Sequence, residues 1–184
     1  MLVEGLIIAV IVAVILSLSL FLKVKAKVST KLGLALARAL VFFVIIYLPL
    51  IDQPRISGTA VLPIIGTIVL LFGIILTVLA SRELLKIEFH GGKAAALPEK
   101  IIKTGPYSII RHPANLGFMS AFAGWYLGWG GVYSLCLLPV LITVFLVETI
   151  WEERNLEKVF GDEYREYRKE VGAFLPKIKK RESR

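Results

Sequence analysis

Apolar and polar positions along this chain fall into long separate blocks. Leu2 to Leu22 is a nearly unbroken apolar run with Glu4 as its charge. Gly33 to Ile51 is a second run, holding Arg38, and Gly58 to Ala80 is a third with no charge. Pro113 to Val147 is a fourth, also without a charged residue. A helix of about 20 apolar residues crosses the hydrocarbon core of a bilayer. The first three blocks therefore predict one span each. The fourth is too long for one span and long enough for two short ones. Gly128-Trp129-Gly130-Gly131 lies in its middle, a turn signal among Trp125, Tyr126 and Tyr133, residue types that settle at membrane interfaces. The pattern predicts an all-α polytopic membrane helix bundle of about five transmembrane helices. The last two form a C-terminal helical hairpin.

After Glu148 the period changes. Trp151, Leu156, Val159, Phe160, Tyr164, Tyr167 and Val171 recur mostly at steps of three and four, one apolar stripe on an otherwise charged segment. This predicts a cytoplasmic amphipathic tail helix, interrupted near Gly161, whose stripe packs against the loop before Arg111. Lys177 to Arg184 closes the chain as a basic end. Residues 1–81 then form an N-terminal three-helix membrane region. Residues 82–184 form a second region of loop, hairpin and tail. The third span carries Pro63 in its first turn, where a missing N–H costs little. Gly66 and Gly73, seven apart, suit a close helix contact.

The polar blocks orient the bundle. Lys23–Lys31 holds 4 Lys/Arg, Arg82–Arg111 holds 6, and the tail from Glu148 holds 10. The opposite loops carry Glu4, the turn with Asp52, Pro54 and Arg55, and the glycine-rich tip. By the positive-inside rule the N-terminus is outside and the C-terminus cytoplasmic. A signal peptide is the rival reading of the first block, but no basic segment precedes it and no small-residue cleavage site ends it. Arg38 lies near the start of its span and can snorkel to the basic side.

Composition agrees with a membrane protein. Of 184 residues, 57% are hydrophobic and 20% charged, against roughly 45–50% and about 25% in soluble domains. The net charge of +8 fits cytoplasmic loops beside anionic lipid. No basic patch on a soluble face points to nucleic acid. Cys136 is the one cysteine, so no intramolecular disulfide forms, and the two histidines rule out a histidine-rich metal site.

One stretch concentrates the chemistry. Thr104-Gly105-Pro106-Tyr107-Ser108-Ile109-Ile110-Arg111-His112-Pro113-Ala114-Asn115-Leu116-Gly117 crowds glycine, prolines, an aromatic, an arginine and a histidine where a polar loop enters an apolar block. Taken singly, Gly-Pro-Tyr is a turn entering a helix and Arg-His-Pro an interfacial anchor. Glu152 and Glu153 are then the solvated face of the tail. Their conjunction is what needs a shared cause, and a binding site supplies one.

Gly105-Pro106-Tyr107 followed by Arg111-His112-Pro113 resembles the G-[PV]-Y-x3-R-H-P-x-Y-x-G signature of the isoprenylcysteine carboxyl methyltransferase and phospholipid methyltransferase superfamily. Glu152-Glu153, Leu156, Phe160-Gly161, Glu163-Tyr164, Tyr167 and Phe174-Leu175-Pro176 resemble the tail of the same superfamily. The likeness runs from about Lys93 to Pro176. It implies an S-adenosylmethionine-dependent membrane methyltransferase with the cofactor held on the cytoplasmic side. The cofactor-binding residues it implies are Glu99, Lys100, Ile101, Ile102, Tyr107, His112, Pro113, Ala114, Asn115 and Glu153. Its catalytic candidates are Arg111, His112 and Glu152, and no metal is implied. The implied partner is a lipid or a prenylated membrane-borne substrate.

Elementary chemistry is consistent with that set. A helix starting at Pro113 presents unpaired N–H groups that suit a carboxylate. Glu153 can hydrogen-bond ribose hydroxyls or balance the positive sulfonium and ammonium. Tyr107 can cover an apolar or aromatic part of a ligand, Arg111 can pair with the cofactor carboxylate or with a glutamate, and His112 can accept a proton near neutral pH or simply hydrogen-bond and set the turn. Three positions depart from the superfamily's usual pattern. Asn115 stands where tyrosine is usual, Thr149 where the isoprenylcysteine enzymes often have arginine, and Glu99 where relatives often have histidine. The rival functions are an NADPH-dependent membrane reductase of the sterol reductase type and a non-catalytic membrane scaffold.

Overall fold

The computed structural model describes residue 47 and residues 50–56, 61–86 and 100–177. The predicted span Leu2–Leu22, the Lys23–Lys31 loop, Arg38 and most of the span Gly33–Ile51 lie outside the described residues. So do the His90-Gly91-Gly92 break, Glu99 and the residues after Lys177.

Among the described residues the fold is helical. Helix α1 is Val61–Leu84, α2 is Pro113–Trp129, α3 is Val132–Phe160 and α4 is Asp162–Glu170. A 3-10 turn, Gly105–Ser108, precedes α2. β-structure is limited to two isolated bridges, Arg55 with Gly131 and Ile110 with Gly172. Helices α1 and α3 are long and apolar enough to cross a membrane, with mean hydropathies of 2.7 and 2.1. Only 11% of the apolar window of α1 is buried within the protein. Ile64, Ile68, Phe72, Ile75 and Val78 all stand exposed on it. A helix apolar all round with so little protein against it is matched to lipid.

The chain forms two compact units. The first takes residues up to Leu71 together with Met119–Glu148, and the second takes Phe72–Phe118 and Thr149 onward.

The first unit is held by an apolar cluster and a polar clasp. Tyr126, Leu137 and Leu141 are its buried core, with Phe122, Trp125 and Val144 packed on it. Phe122 of α2 stacks on Phe145 of α3 at 6.2 Å. Here α1 and α2 meet through glycine: a Cβ on Gly66 would strike the Gly128 backbone, with Gly124 O at 2.8 Å. The close contact expected of Gly66 is thus a glycine-on-glycine seam, the kind of backbone approach that small residues allow. The helices α2 and α3 are joined through Gly130-Gly131, and Gln53 reaches into that turn. Its Oε1 accepts from the Tyr133 and Ser134 amides at 3.0 and 3.4 Å, and its Nε2 donates to Ser134 Oγ at 3.2 Å. Two first-turn amides of α3 that the helix itself leaves unpaired are capped in this way. Arg55 lies over the Trp129 ring at 5.2 Å.

The second unit carries the loop, the start of α2, the end of α3 and α4. Gly117 of α2 faces Gly73 O of α1 at 2.9 Å from where a Cβ would stand. Helix α3 stops at Gly161, whose φ of 54° lies in the left-handed region, a conformation glycine adopts without steric cost. The chain then turns into α4. Of the predicted tail stripe, Tyr164 and Tyr167 are buried, whereas Trp151 and Val159 are exposed. The apolar part of α3 ends at Val147, and its last turns are charged, with Glu152 exposed and Glu153 turned inward.

Candidate functional site

The site is built by a short backbone pairing inside the second unit. Gly105 enters the 3-10 turn with φ 56°, and a Cβ there would lie 2.9 Å from Glu83 Cγ. Glycine is required on both counts. Thr104 Oγ1 donates to Glu83 Oε2 at 2.6 Å, which ties the loop to the end of α1. Past the turn the backbone extends beside the segment after α4. The Arg111 amide donates to Gly172 O at 2.8 Å and the His112 amide to Ala173 O at 3.1 Å. Tyr167 donates its hydroxyl to Tyr107 O at 2.6 Å. These bonds set the Arg111 and His112 side chains toward the end of α3.

Arg111 and His112 converge there on Glu153. Arg111 Nε and Nη2 lie 3.0 and 2.5 Å from Glu153 Oε1, and His112 Nε2 lies 3.0 Å from the same oxygen. Arg111 Nη1 donates to Val171 O and, at 3.4 Å, to Arg168 O. A cation on the last carbonyls of α4 is favourable, because the helix C-terminus carries partial negative charge. The pair is well buried, with side-chain exposures of 6% for Arg111 and 13% for Glu153. Arg168 adds a weaker approach to Glu153 Oε2 at 3.7 Å.

Electrostatics follow from this packing. Burial alone would push the Glu153 carboxyl upward. The hydrogen bonds and positive charges of His112 and Arg111 outweigh burial and hold it at about 2. Burial acts to lower the His112 imidazole, and the carboxylates of Glu152 and Glu153 more than reverse that, so its pKa is raised. The cluster therefore favours a charged His112 and an ionised Glu153.

Glu152, next in sequence, behaves differently. Its side chain is 51% exposed. Its Oε2 faces His112 Nδ1 at 3.4 Å and receives Asn115 Nδ2 at 3.3 Å. Asn115 Nδ2 also donates to Thr149 Oγ1 at 2.9 Å. Asn115 and Thr149, two of the three departures from the superfamily pattern, are thus in direct contact.

The remaining candidates distribute unevenly. Pro113 is buried and begins α2, with Ala114 and Asn115 half-buried in its first turn. The Leu116 amide bonds His112 O, while the Ala114 and Asn115 amides have no backbone acceptor among the described residues. Tyr107 is half-buried, Ile102 buried, Ile101 half-buried and Lys100 exposed. Sequence reasoning passed over Arg168, Val171 and Gly172 as site-builders. The signal that marks them is the Phe174-Leu175-Pro176 match, since Phe174 lies 5.9 Å from the His112 ring.

Comparison with known proteins adds an independent line. The profile of the family described as Phospholipid methyltransferase matches residues 61–163, more than half of the chain. A methanethiol S-methyltransferase of Pseudomonas deceptionensis is 36% identical over 74 residues, which is 40% of this chain and 28% of that protein. A methanethiol S-methyltransferase of Mycobacterium tuberculosis is 39% identical over 70 residues, 38% of this chain and 28% of that protein. A protein-S-isoprenylcysteine O-methyltransferase of Schizosaccharomyces pombe is 33% identical over 79 residues, 42% of this chain and 34% of that protein. The matched segments thus amount to 28–34% of the length of these relatives. No solved structure matches the chain.

Proposed function

Because the chain belongs to the phospholipid methyltransferase family, we propose that it is an integral membrane methyltransferase using S-adenosylmethionine and a lipidic or membrane-borne acceptor. The observation that carries this reading is the convergence of Arg111 and His112, from one motif, on Glu153, from the other, 42 residues away. Two motifs that share a family signature and meet at one buried carboxylate need a common role.

The donor set suits the cofactor. The Ala114 and Asn115 amides at the start of α2 offer donors to a carboxylate. Glu153, held through Oε1 by Arg111 and His112, is the carboxylate for the ribose hydroxyls or the positive charge of the cofactor. Tyr107, Ile101 and Ile102 offer apolar surface beside Lys100, and Glu99, outside the described residues, is carried with them from the sequence resemblance alone. When bound, the cofactor brings a methyl group already activated on a sulfonium. The protein then has mainly to orient the acceptor and keep the site dry. Within this reading His112 stays charged between Glu152 and Glu153 and holds both in place. Arg111 fixes Glu153 and the chain at Val171. Pro113 sets the angle at which α2 leaves the site.

The membrane arrangement is part of the same proposal. Five spans, an outside N-terminus and a cytoplasmic C-terminus put the Arg82–Arg111 loop, the tail from Glu148 and the cofactor on the basic, cytoplasmic side. Residues 1–81 supply a three-helix membrane region. The relatives act, by their names, on methanethiol and on protein isoprenylcysteine, so the superfamily chemistry admits more than one acceptor.

Titration of the purified full chain in lipid nanodiscs with S-adenosylhomocysteine tests the reading. One saturable site is expected, with His112→Ala weakening it by about tenfold or more, the loss of roughly one charge-assisted hydrogen bond. A folded chain that binds no S-adenosylhomocysteine would overturn it. Saturable NADPH binding in its place would assign the chain to the reductase chemistry instead.

A further inference from the structure

The contact between Asn115, Thr149 and Glu152 bears on which acceptor the site can methylate. Asn115 Nδ2 bridges Thr149 Oγ1 at 2.9 Å and Glu152 Oε2 at 3.3 Å. His112 Nδ1 approaches the same Oε2 at 3.4 Å. Two groups therefore aim one oxygen of Glu152, Asn115 (itself held by Thr149) and His112, while its Oε1 is in no hydrogen bond among the described residues and the side chain is 51% exposed. That leaves a carboxylate of fixed direction with one oxygen open.

Among the described residues, the two arginines at this cluster are already engaged. Thr149, 4% exposed, is neutral and occupied by Asn115. Arg111 is committed to Glu153 and to the Val171 and Arg168 carbonyls. Arg168 leans on Glu153 and Glu157 at 3.7 Å each. An acceptor carboxylate brought to this spot would face the Glu152 charge while Arg111 and Arg168 are held by Glu153 and Glu157. Like charges at such separation repel, and the repulsion grows as water leaves. An acceptor carrying N–H or S–H meets the opposite situation. It can donate into Glu152 Oε1 and then give up its proton there.

We propose that the Asn115–Thr149 clasp sets Glu152 as proton acceptor and selects a protic nitrogen or sulfur acceptor over a carboxylate. This rests on the methyltransferase reading above and specifies its substrate class. In the step, the acceptor N–H or S–H bond breaks and its proton passes to Glu152 Oε1. The electron pair left on nitrogen or sulfur forms the new bond to methyl. The donor's sulfur–methyl bond breaks with its pair remaining on sulfur, which cancels the sulfonium charge. A carboxylate acceptor needs no such base. The clasp therefore has a purpose only for an acceptor that arrives protonated.

The test uses the full chain in nanodiscs with three probes of equal chain length: hexanethiol, hexylamine and hexanoate. Affinity for S-adenosylhomocysteine is measured first for every variant. Acceptor binding to the S-adenosylhomocysteine complex is then read by thermal shift, and methyl transfer from labelled S-adenosylmethionine by product mass. Wild type is expected to bind and methylate hexanethiol or hexylamine at least about 100-fold better than hexanoate. The thiol and amine arms identify which of the two atoms is used. Glu152→Gln is expected to lower turnover by about 100-fold or more, the usual contribution of a general base, with S-adenosylhomocysteine affinity within about threefold. Thr149→Arg is expected to shift binding toward hexanoate and away from the amine. Preference of the wild type for hexanoate would overturn the inference. So would a Glu152→Gln chain that loses S-adenosylhomocysteine and acceptor together, since Glu152 would then belong to the cofactor. If wild type binds no S-adenosylhomocysteine, the parent reading fails, and that outcome is visible before any acceptor is added.

Discussion

Two buried polar clasps do comparable jobs in this molecule by different physics. In the first unit, Gln53 joins a turn to the start of α3 through a neutral amide. In the second, Arg111 joins a loop to the end of α3 and the end of α4 through a buried ion pair. The neutral clasp caps helix amides and asks nothing of pH. The charged clasp holds the Glu153 carboxyl low and raises the His112 imidazole, each through the other's charge. The first makes a joint. The second makes a joint that can also bind and move charge, at the risk of a large penalty if one partner is lost.

The sharpest way to break the comparison is to remove one side of each clasp. Arg111→Ala leaves Glu153 buried without its main counter-charge and is expected to destabilise the chain by about 3–5 kcal/mol. The double change Arg111→Met with Glu153→Leu is expected to cost much less, because no orphan charge remains. Thermal unfolding in detergent, followed by tryptophan fluorescence, reads both. Equal losses in the single and double variants would mean that the pair is not the source of the penalty. Gln53→Leu removes a neutral acceptor from two α3 amides and is expected to cost about 1–3 kcal/mol. A loss as large as that of Arg111→Ala would erase the distinction between the clasps.

The smallest effect is the one that separates them by kind. The folded-state pKa of His112 is raised, so its charge stabilises the fold fully below the unfolded value near 6.5. That contribution is lost as pH rises through the raised folded value. Glu153 is depressed to about 2, so its contribution is present above the unfolded value of 4.5 and lost only as pH falls toward 2. Melting temperature should therefore decline as pH rises above about 6.5 in the wild type and decline less in His112→Asn. Gln53→Leu should leave the shape of the pH curve unchanged and only lower it. A parallel curve for His112→Asn would show that the histidine charge does not support the fold.

Much of this was legible before any coordinates. The apolar block Gly58–Ala80 became α1 with ends shifted by a few residues, because a long uncharged run has few alternatives to a helix. The turn at Gly128-Trp129-Gly130-Gly131 and the break at Gly161 were marked by glycine itself. The motif residues were recognisable as a set because their types are rare together. Arg111's role was not legible. It was a partner for a ligand or for a glutamate on equal terms, and the structure turned it to Glu153 and to the carbonyls after α4. Nor was the Trp151 and Val159 part of the tail stripe, since periodicity cannot tell a face that meets protein from one that meets lipid or water.

The chain alone determined which segments suit lipid, which end is basic and which rare residue types gather in the two motifs. These depend on composition over a window and on local backbone preference, and both are written in consecutive residues. Only the tertiary structure decided how Glu152 and Glu153 divide their labour. Successive residues on a helix point about 100° apart, so one of two identical side chains must turn inward while the other faces out. Which one does so depends on where Arg111 and His112 arrive, and that is fixed by the pairing with Gly172 and Ala173 some sixty residues on.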